Sequence, residues 1–504
     1  MTTSLKVLKS GLKLSLNQVF IQGCSFVRNV IIARLISPAD FGIAALLAMT
    51  FSSLEMSSNL AQEKLLIQAE DGDRPSFQNT VHLLQAGRGF MNALLIFLLA
   101  GPVAGLFELP QTTWAFRCLA LVPLIRGLVH TDLFRVQRDL RFEPSIIVDV
   151  VSSIVLVLVA LPLALWHRDY TVMLWVLVAQ SLCAAIGSHL VAERRYGWAW
   201  NRSYLKKIFS FGWPLLINGL LMYLIFDGDR LMIGAARRLF HVNSYNLTDL
   251  GIYSVAFAIT MGPTMLVANV STSLFLPILS HAHTREHFER RYLGCAQMVC
   301  LIAAIIAVPF IIAGGWVTIL LYGKKYVAAS GFIGWLAAMW AFRMARQGPT
   351  LAAMALGDTK NAMISNIVRA SAFLALLLVA ATGRSLVWIA ACGFFGELLA
   401  LAACVWRLER VRGVPAALFT RPFAVSAAGM TAAALTVVLG ASRHGWPMAL
   451  AISAVLVAVL SVAMFSFFPG LRQDVRALLF QLNPSSGSHS KRLESGLAAP
   501  TLSS

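Results

Sequence analysis

Apolar runs of about 20 residues, separated by short polar breaks, recur along almost the whole chain. Fourteen can be placed, near 11–36, 41–66, 79–107, 114–134, 144–166, 171–193, 207–234, 250–280, 293–321, 331–356, 361–383, 385–406, 423–441 and 446–468. At a helical rise of about 1.5 Å per residue, such a run crosses the hydrocarbon core of a bilayer. The pattern predicts an all-α, polytopic integral membrane protein. Lys6, Lys9 and Lys13 precede the first run as they would in a signal peptide. That run is too long, however, contains Asn17, Gln18, Gln22 and Arg28, and has no Ala-x-Ala exit, so it is expected to remain as the first helix.

Within the runs, polar residues fall at helical spacing. Gln18, Gln22, Ser25 and Asn29 share one face of the first, with Arg28 on its flank; Ser52, Glu55, Asn59 and Gln62 repeat at steps of three, four and three on the second. On the seventh, Asn218 aligns with Asp229. A polar stripe on an apolar helix has to face protein or water. It can hydrogen-bond neighbouring helices or touch a ligand.

The composition, 58% hydrophobic and 13% charged over 504 residues, excludes a water-soluble domain. The charges change the picture more. Once every Lys and Arg that can sit in a loop or at a membrane surface is set aside, nine remain inside apolar runs, all of them arginine: Arg28, Arg34, Arg88, Arg117, Arg126, Arg230, Arg343, Arg346 and Arg369. Each costs about 2.5–3.5 kcal/mol at mid-bilayer on insertion scales, so it is used or paired. A guanidinium stays charged when buried and donates bidentate hydrogen bonds to phosphate or carboxylate, which points to a transporter with an anionic cargo.

The candidate substrate-binding residues are Arg28, Arg34, Arg88, Arg126 and Arg369 with Gln22, Asn59 and Asn218. Arg34, Arg117 and Arg230 also stand near run ends, where they can snorkel. Glu55, Asp149, Asp229 and Glu397 either couple transport to a proton or sodium gradient or neutralise these arginines. No resident cofactor or metal is expected. The seven cysteines lack CxxC spacing and read as small packing residues, and His281, His283 and His287 read as a solvated turn.

Of the other 32 Lys and Arg, 25 fall in segments on the side of the N-terminus and seven on the other side, Arg168, Arg237, Arg238, Lys324, Lys325, Arg384 and Arg443. By the positive-inside rule both termini are cytoplasmic. The net charge of +18 then reflects topology and anionic lipid, and no nucleic acid is needed to explain it. Organisation is by halves: a six-helix lobe over 1–195, a cytoplasmic linker 196–206, a second six-helix lobe over 207–410, two further helices in 411–470 and a partly disordered tail 471–504. Repeated lobes place a cargo site between them near the midplane.

Four short motifs stand at helix ends: Ser37-Pro38-Ala39-Asp40-Phe41-Gly42; Val136-Gln137-Arg138-Asp139-Leu140-Arg141-Phe142; Asp229-Arg230-Leu231-Met232-Ile233-Gly234 with Leu250-Gly251-Ile252-Tyr253; and Leu356-Gly357-Asp358-Thr359. In this order, over roughly 400 residues, the chain resembles the polysaccharide-transporter branch of the multidrug/oligosaccharidyl-lipid/polysaccharide flippase superfamily. Phe26 to Arg34 also resembles the first helix of the lipid II flippase, whose arginines in this segment belong to the cargo region. Asn29 departs from it, standing where that relative has an acid, and 237–249 is an insertion relative to the shorter family turn.

The resemblance implies a noncatalytic, V-shaped, two-lobed carrier in the bacterial inner membrane. It would move undecaprenyl-pyrophosphate-linked oligosaccharide between leaflets by alternating access, for O-antigen, capsule or exopolysaccharide export. A polysaccharide polymerase and a chain-length regulator would be its further partners. Rival readings are a multidrug/cation antiporter of the same superfamily, which an arginine-rich interior disfavours, and a membrane glycan polymerase or ligase. Such an enzyme usually carries its chemistry in substantial outer loops. Here the longest outer loop is expected at 237–249, with Asp249 its sole acid.

Overall fold

A computed structural model describes residues 2–282, 284–440 and 445–468, with side chains from Lys13 onward; His283, Arg443 and the tail 471–504 lie outside the described residues. Among them there are helices and no strand. The helices are α1 (Thr2–Leu35), α2 (Pro38–Ser57), α3 (Gln62–Gln68), α4 (Pro75–Leu106), α5 (Thr113–Leu119), α6 (Leu121–Gly127), α7 (Asp132–Arg135), α8 (Glu143–Trp166) and α9 (Thr171–Leu190). They continue as α10 (Arg202–Phe240), α11 (Leu247–Ser280), α12 (Arg285–Tyr322), α13 (Ile333–Ala345), α14 (Gln347–Ala355), α15 (Thr359–Ala381), α16 (Leu386–Arg412), α17 (Ala417–Val438) and α18 (Trp446–Phe467). Eleven are long and apolar enough to cross a membrane, and two bent pairs pass the same test together. Adding α1, whose polar stripe lowers its hydropathy, recovers the fourteen segments read from the sequence, and the chain is a multi-pass membrane protein.

Four stretches differ in detail from the sequence reading, and the fourth run is one of them, broken into α5, α6 and α7 with a bend of 48°. The second run is not one helix: α2 ends at Ser57, Ala61 takes a left-handed φ of 49°, and α3 starts afresh at Gln62. The stripe through Ser52, Glu55, Asn59 and Gln62 is therefore broken, and Asn59 Oδ1 accepts from the Ala61 amide at 2.7 Å as a turn residue. The tenth run is two helices, α13 and α14, and the 3-10 segment Lys324–Gly331 that precedes it joins it at a bend of 63°. The stretch 237–249 is no long loop, because α10 runs on to Phe240 and α11 begins at Leu247.

Local chemistry explains the boundaries. Ser37 caps α2, its hydroxyl accepting from the Asp40 amide at 3.0 Å, and Pro38 sits where a missing N–H costs nothing. Asn201 caps α10 through the amides of Ser203 and Tyr204, and Asn246 forms a capping box with Asp249 at the head of α11. At the basic end of the molecule, Arg138 donates to the carbonyls of Leu66, Ile67 and Ala69, satisfying the open C-terminal end of α3.

In lipid the pull between helices comes from close packing rather than from water. Small residues such as Ala33, Ala44, Ala104, Ala160 and Ala256 accordingly line the shared core, while Leu98, Leu158, Leu378 and Val462 face outward. One core joins α1, α2, α4 and α9 to α11, α13, α15 and α16; a second lies among α12, α14, α16, α17 and α18. α2 and α11 cross in tight contact. A β-carbon on Gly42 would collide with the Leu247 carbonyl, and one on Gly251 with the carbonyl of Pro38.

Candidate functional site

The intramembrane arginines divide by partner. In the C-terminal half every one has an acid. Glu397 of α16, only 1% exposed, accepts from Arg343 Nη1 at 2.9 Å and from Arg369 Nε at 3.1 Å. Arg346 Nε lies 3.3 Å from its second oxygen as a bare ion contact, while Arg346 Nη1 donates to Ser365 at 2.8 Å and to Asn366 at 3.2 Å. Three guanidiniums from α13, α15 and the α13/α14 junction thus share one carboxylate. The Arg343 guanidinium also lies 4.7 Å from the Phe226 ring centroid. Asp229 accepts from the Tyr253 hydroxyl at 2.8 Å, and Arg230 pairs with Asp227 one turn before it while lying 4.5 Å over Phe257.

The N-terminal half is different. Arg88 of α4 donates to Glu55 of α2 at 3.1 Å. Arg28 meets no acid: its Nε and Nη2 donate at 3.2 and 2.8 Å to the Asn29 amide oxygen on its own helix. Arg126 lies 5.2 Å from the Phe51 ring centroid. Among the described residues neither Arg28 nor Arg126 has a carboxylate within ion-pairing distance. Among the described residues Asp149 accepts from Asn17 alone, at 3.1 Å. Gln22 is half-buried and Asn218 exposed.

Arg34 has another task. It donates to the carbonyl of Leu321 at 2.6 Å and to that of Leu320, the open end of α12. Lys325 and Tyr326 answer from beyond α12, donating to the carbonyls of Arg34 and Ala33 at the end of α1, at 2.9 and 3.2 Å. Each helix closes the other's C-terminus. The same end carries the Glu108–Arg237 pair at 2.9 Å and the Gly42–Gly251 crossing, so two of the family-like motifs meet here.

At the basic end, Lys207 of α10 pairs with Asp71 at 2.6 Å and holds its carboxyl below the usual carboxylate range. Asp132 accepts from Arg135 at 2.5 Å, from Gln78 at 3.0 Å and from the Glu193 amide at 2.8 Å, tying the 191–201 connection to α4 and α7. Tyr196 of that connection stacks on His82 at 4.3 Å, with His130 4.7 Å from His82. No sequence spacing foretold that cluster, whose members come from three separate segments. Asp227, by contrast, stood three residues before Arg230, an i,i+3 signal that the sequence reading passed over. Among the described residues no three His, Cys, Asp or Glu side chains gather as a metal site.

Residues 31–331 match the family of polysaccharide biosynthesis proteins. The succinoglycan biosynthesis transport protein of Rhizobium meliloti is 25% identical over 329 residues, 62% of either chain. A teichuronic acid biosynthesis protein of Bacillus subtilis is 22% identical over 55% of this chain and 56% of its own length. The chain thus matches under two thirds of the length of these relatives. Among solved structures, a lipid II flippase in an inward closed conformation superposes with a TM-score of 0.69 at 13% identity, covering 91% of this chain and 99% of that one. A multidrug resistance MATE family transporter in an inward-facing conformation gives 0.58 at 12% identity, over 81% and 98%. At these identities the likeness is one of fold.

Proposed function

The chain belongs to the polysaccharide biosynthesis protein family, and from that premise we propose that it flips lipid-linked oligosaccharide, carried on undecaprenyl pyrophosphate, across the bacterial inner membrane. The observation that carries the proposal is the contrast between the halves. Each intramembrane arginine in the C-terminal half contacts a carboxylate, Glu397 or Asp227, whereas among the described residues Arg28 and Arg126 have none within ion-pairing distance and meet an amide and an aromatic ring. A guanidinium that stays in lipid without a counter-ion is costly unless an anion visits it, and a diphosphate suits its fork.

On this reading Arg28 is the first contact of the cargo diphosphate and Arg126 the second. Arg34 is a helix cap, Arg88 and Arg369 are ion-paired scaffold, and Glu55, Asp229 and Glu397 act as counter-ions or acceptors within it. Asp149, bonded by one amide and lying in the field of Arg126, is the carboxylate that takes up a coupling proton. The lobes 1–195 and 207–410 rock about the linker, the basic end facing the cytoplasm. An antiporter of organic cations is disfavoured by an interior in which arginines outnumber the carboxylates they contact, which repels such a cargo.

The test is reconstitution. Purified protein in liposomes should translocate fluorescent lipid-linked oligosaccharide and should not move a cationic dye; the reverse result overturns the proposal. In cells, a cysteine replacing Ser37 should react with an impermeant reagent from outside and one replacing Arg138 should not.

A further inference from the structure

A pocket of about 290 Å³ lies between the two halves at the end of the molecule opposite the basic one, which is the outer end in the orientation proposed above. Phe107, Glu108 and Leu109 bring one wall from the end of α4; Arg237 of α10, with Tyr245, Asn246 and Thr248 at the head of α11, brings the other. The floor is apolar, since Phe107, Leu109 and Tyr245 are buried. The rim is polar, with Glu108, Arg237, Asn246 and Thr248 all exposed. The Glu108–Arg237 pair, at 2.9 Å, spans the two walls.

Glu108 is held in the left-handed region, with φ at 55°. It closes α4 in a Schellman turn, its amide donating to the Gly105 carbonyl at 3.2 Å and the Leu109 amide to that of Ala104 at 2.8 Å. Glycine takes this position without strain, whereas a side chain is kept there at a cost in backbone energy. Strain of this kind persists where the side chain has a use. The ion pair is too small a use, because its members are 39% and 60% exposed and such surface pairs add little to stability.

The pair also leaves most of both groups open. Among the described residues no hydrogen bond or ion pair engages the second Glu108 oxygen, the two Arg237 Nη atoms or the Thr248 hydroxyl. A carboxylate beside a guanidinium presents paired acceptors next to paired donors, which suits adjacent hydroxyls that both give and take hydrogen bonds. Their charges cancel, so the rim selects neither a diphosphate nor an organic cation. An apolar floor under a few convergent polar groups matches a ring with a C–H face and an edge of hydroxyls.

We propose that this pocket binds a sugar unit of exported glycan at the outer face, apart from the Arg28 region, and that a sugar seated there holds the two halves together; the inference rests on the transport reading above. Each half supplies one wall, so parting the outer ends takes the site apart. A ligand bound to it therefore stabilises the shut form by mass action. Glycan that accumulates outside restrains further export.

The probe is the oligosaccharide released by mild acid from the lipid-linked pool of the cells that make this protein. Titration calorimetry on full-length protein in nanodiscs should show it binding, and inorganic pyrophosphate should not displace it. Glu108→Gly should abolish the binding yet melt no lower than the unmodified protein, because glycine relieves the left-handed turn. Thr248→Trp, which fills the pocket and keeps the ion pair, should abolish it too. Binding that survives either variant, displacement by pyrophosphate, no binding at all, or a lower melting temperature for Glu108→Gly overturns the proposal. In liposomes with the free oligosaccharide on both sides at about ten times the Kd so measured, flipping of the lipid-linked form should slow about ten-fold, since only the unoccupied fraction cycles. Glu108→Gly should flip at its own sugar-free rate under the same addition; slowing that persists in it places the sugar in the cargo cavity and overturns the proposal. Flipping that ignores the free sugar overturns the hold on the two halves. Failure of the unmodified protein to flip without added sugar instead overturns the transport reading and leaves the calorimetric site standing.

Discussion

Arg88 donates to Glu55 at 3.1 Å, and that contact takes away the acid that Arg28 would need to be a structural ion. Both α1 and α2 carry polar residues toward the same interior, and sequence periodicity alone could pair Glu55 with either arginine. The fold pairs it with α4.

Charge deletion in pairs should therefore separate the two arginines. Removing both members of a real pair leaves no lone ion in the bilayer, whereas removing Glu55 together with Arg28, which is not its partner, strands Arg88. Arg88→Ala with Glu55→Ala should export glycan better than either single variant, and Arg28→Ala with Glu55→Ala should stay inactive while reaching the membrane in normal amount. Restored export by the latter pair, measured by complementation, would return Arg28 to the scaffold.

Glu397 should be the more damaging half of its cluster. Glu397→Ala strands three guanidiniums in a buried site, and breaking a buried pair in this way costs about 3–5 kcal/mol. Arg369→Ala leaves the carboxylate with two partners and should cost less. Thermal unfolding in detergent ranks them; an equal or inverted order means that the carboxylate is not the hub.

The crossing of α2 and α11 should open when a side chain is forced into it. Gly251→Val drives a branched carbon against the Pro38 carbonyl, an overpacking of about 1–3 kcal/mol. A cysteine replacing Ser37 should then react faster with an impermeant maleimide in the valine background, and transport should fall. An unchanged labelling rate would show that the crossing yields without parting the helices.

These outcomes bear on what could be read from the chain before its fold was known. The helices were legible because twenty-residue apolar runs have few other uses, and the caps at Ser37 and Asn246 follow from local chemistry. The break at Ala61 was not legible, since a left-handed alanine leaves no mark in a hydrophobic pattern, and with it went the stripe through Asn59. At the site, arginine type and depth could be read, but pairing could not. Glu397 lies 28 residues from Arg369 and 54 from Arg343, and only tertiary packing brings them together. Arg34 looked like its neighbour Arg28 in sequence and is a helix cap in the fold.

Acid should loosen the start of α10. The Asp71 carboxyl is held below its ordinary range by Lys207, so its stabilising contribution is complete above the unfolded carboxylate pKa of about 4 and is lost as pH falls through the lower folded value. Hydrogen exchange in residues 70–73 and 202–207 should quicken only at that acidic end, and Lys207→Ala should reproduce the quickening at neutral pH. Exchange in the variant equal to wild type at pH 7 would show that the pair holds nothing.

On the proposed transport reading, the mutual closure of α1 and α12 ties the state of the protein to the leaflet it stands in. When those ends separate, the carbonyls at each C-terminus lose their cationic partners, and Arg34 and Lys325 are released beside the headgroups. The released cations are drawn to acidic headgroups, while the bared carbonyl ends, negative by the helix dipole, are repelled by them. Were those ends to part as the proposed transport reading requires, surface charge in that leaflet would enter the balance with two opposed contributions, and the surrounding lipid composition would set it.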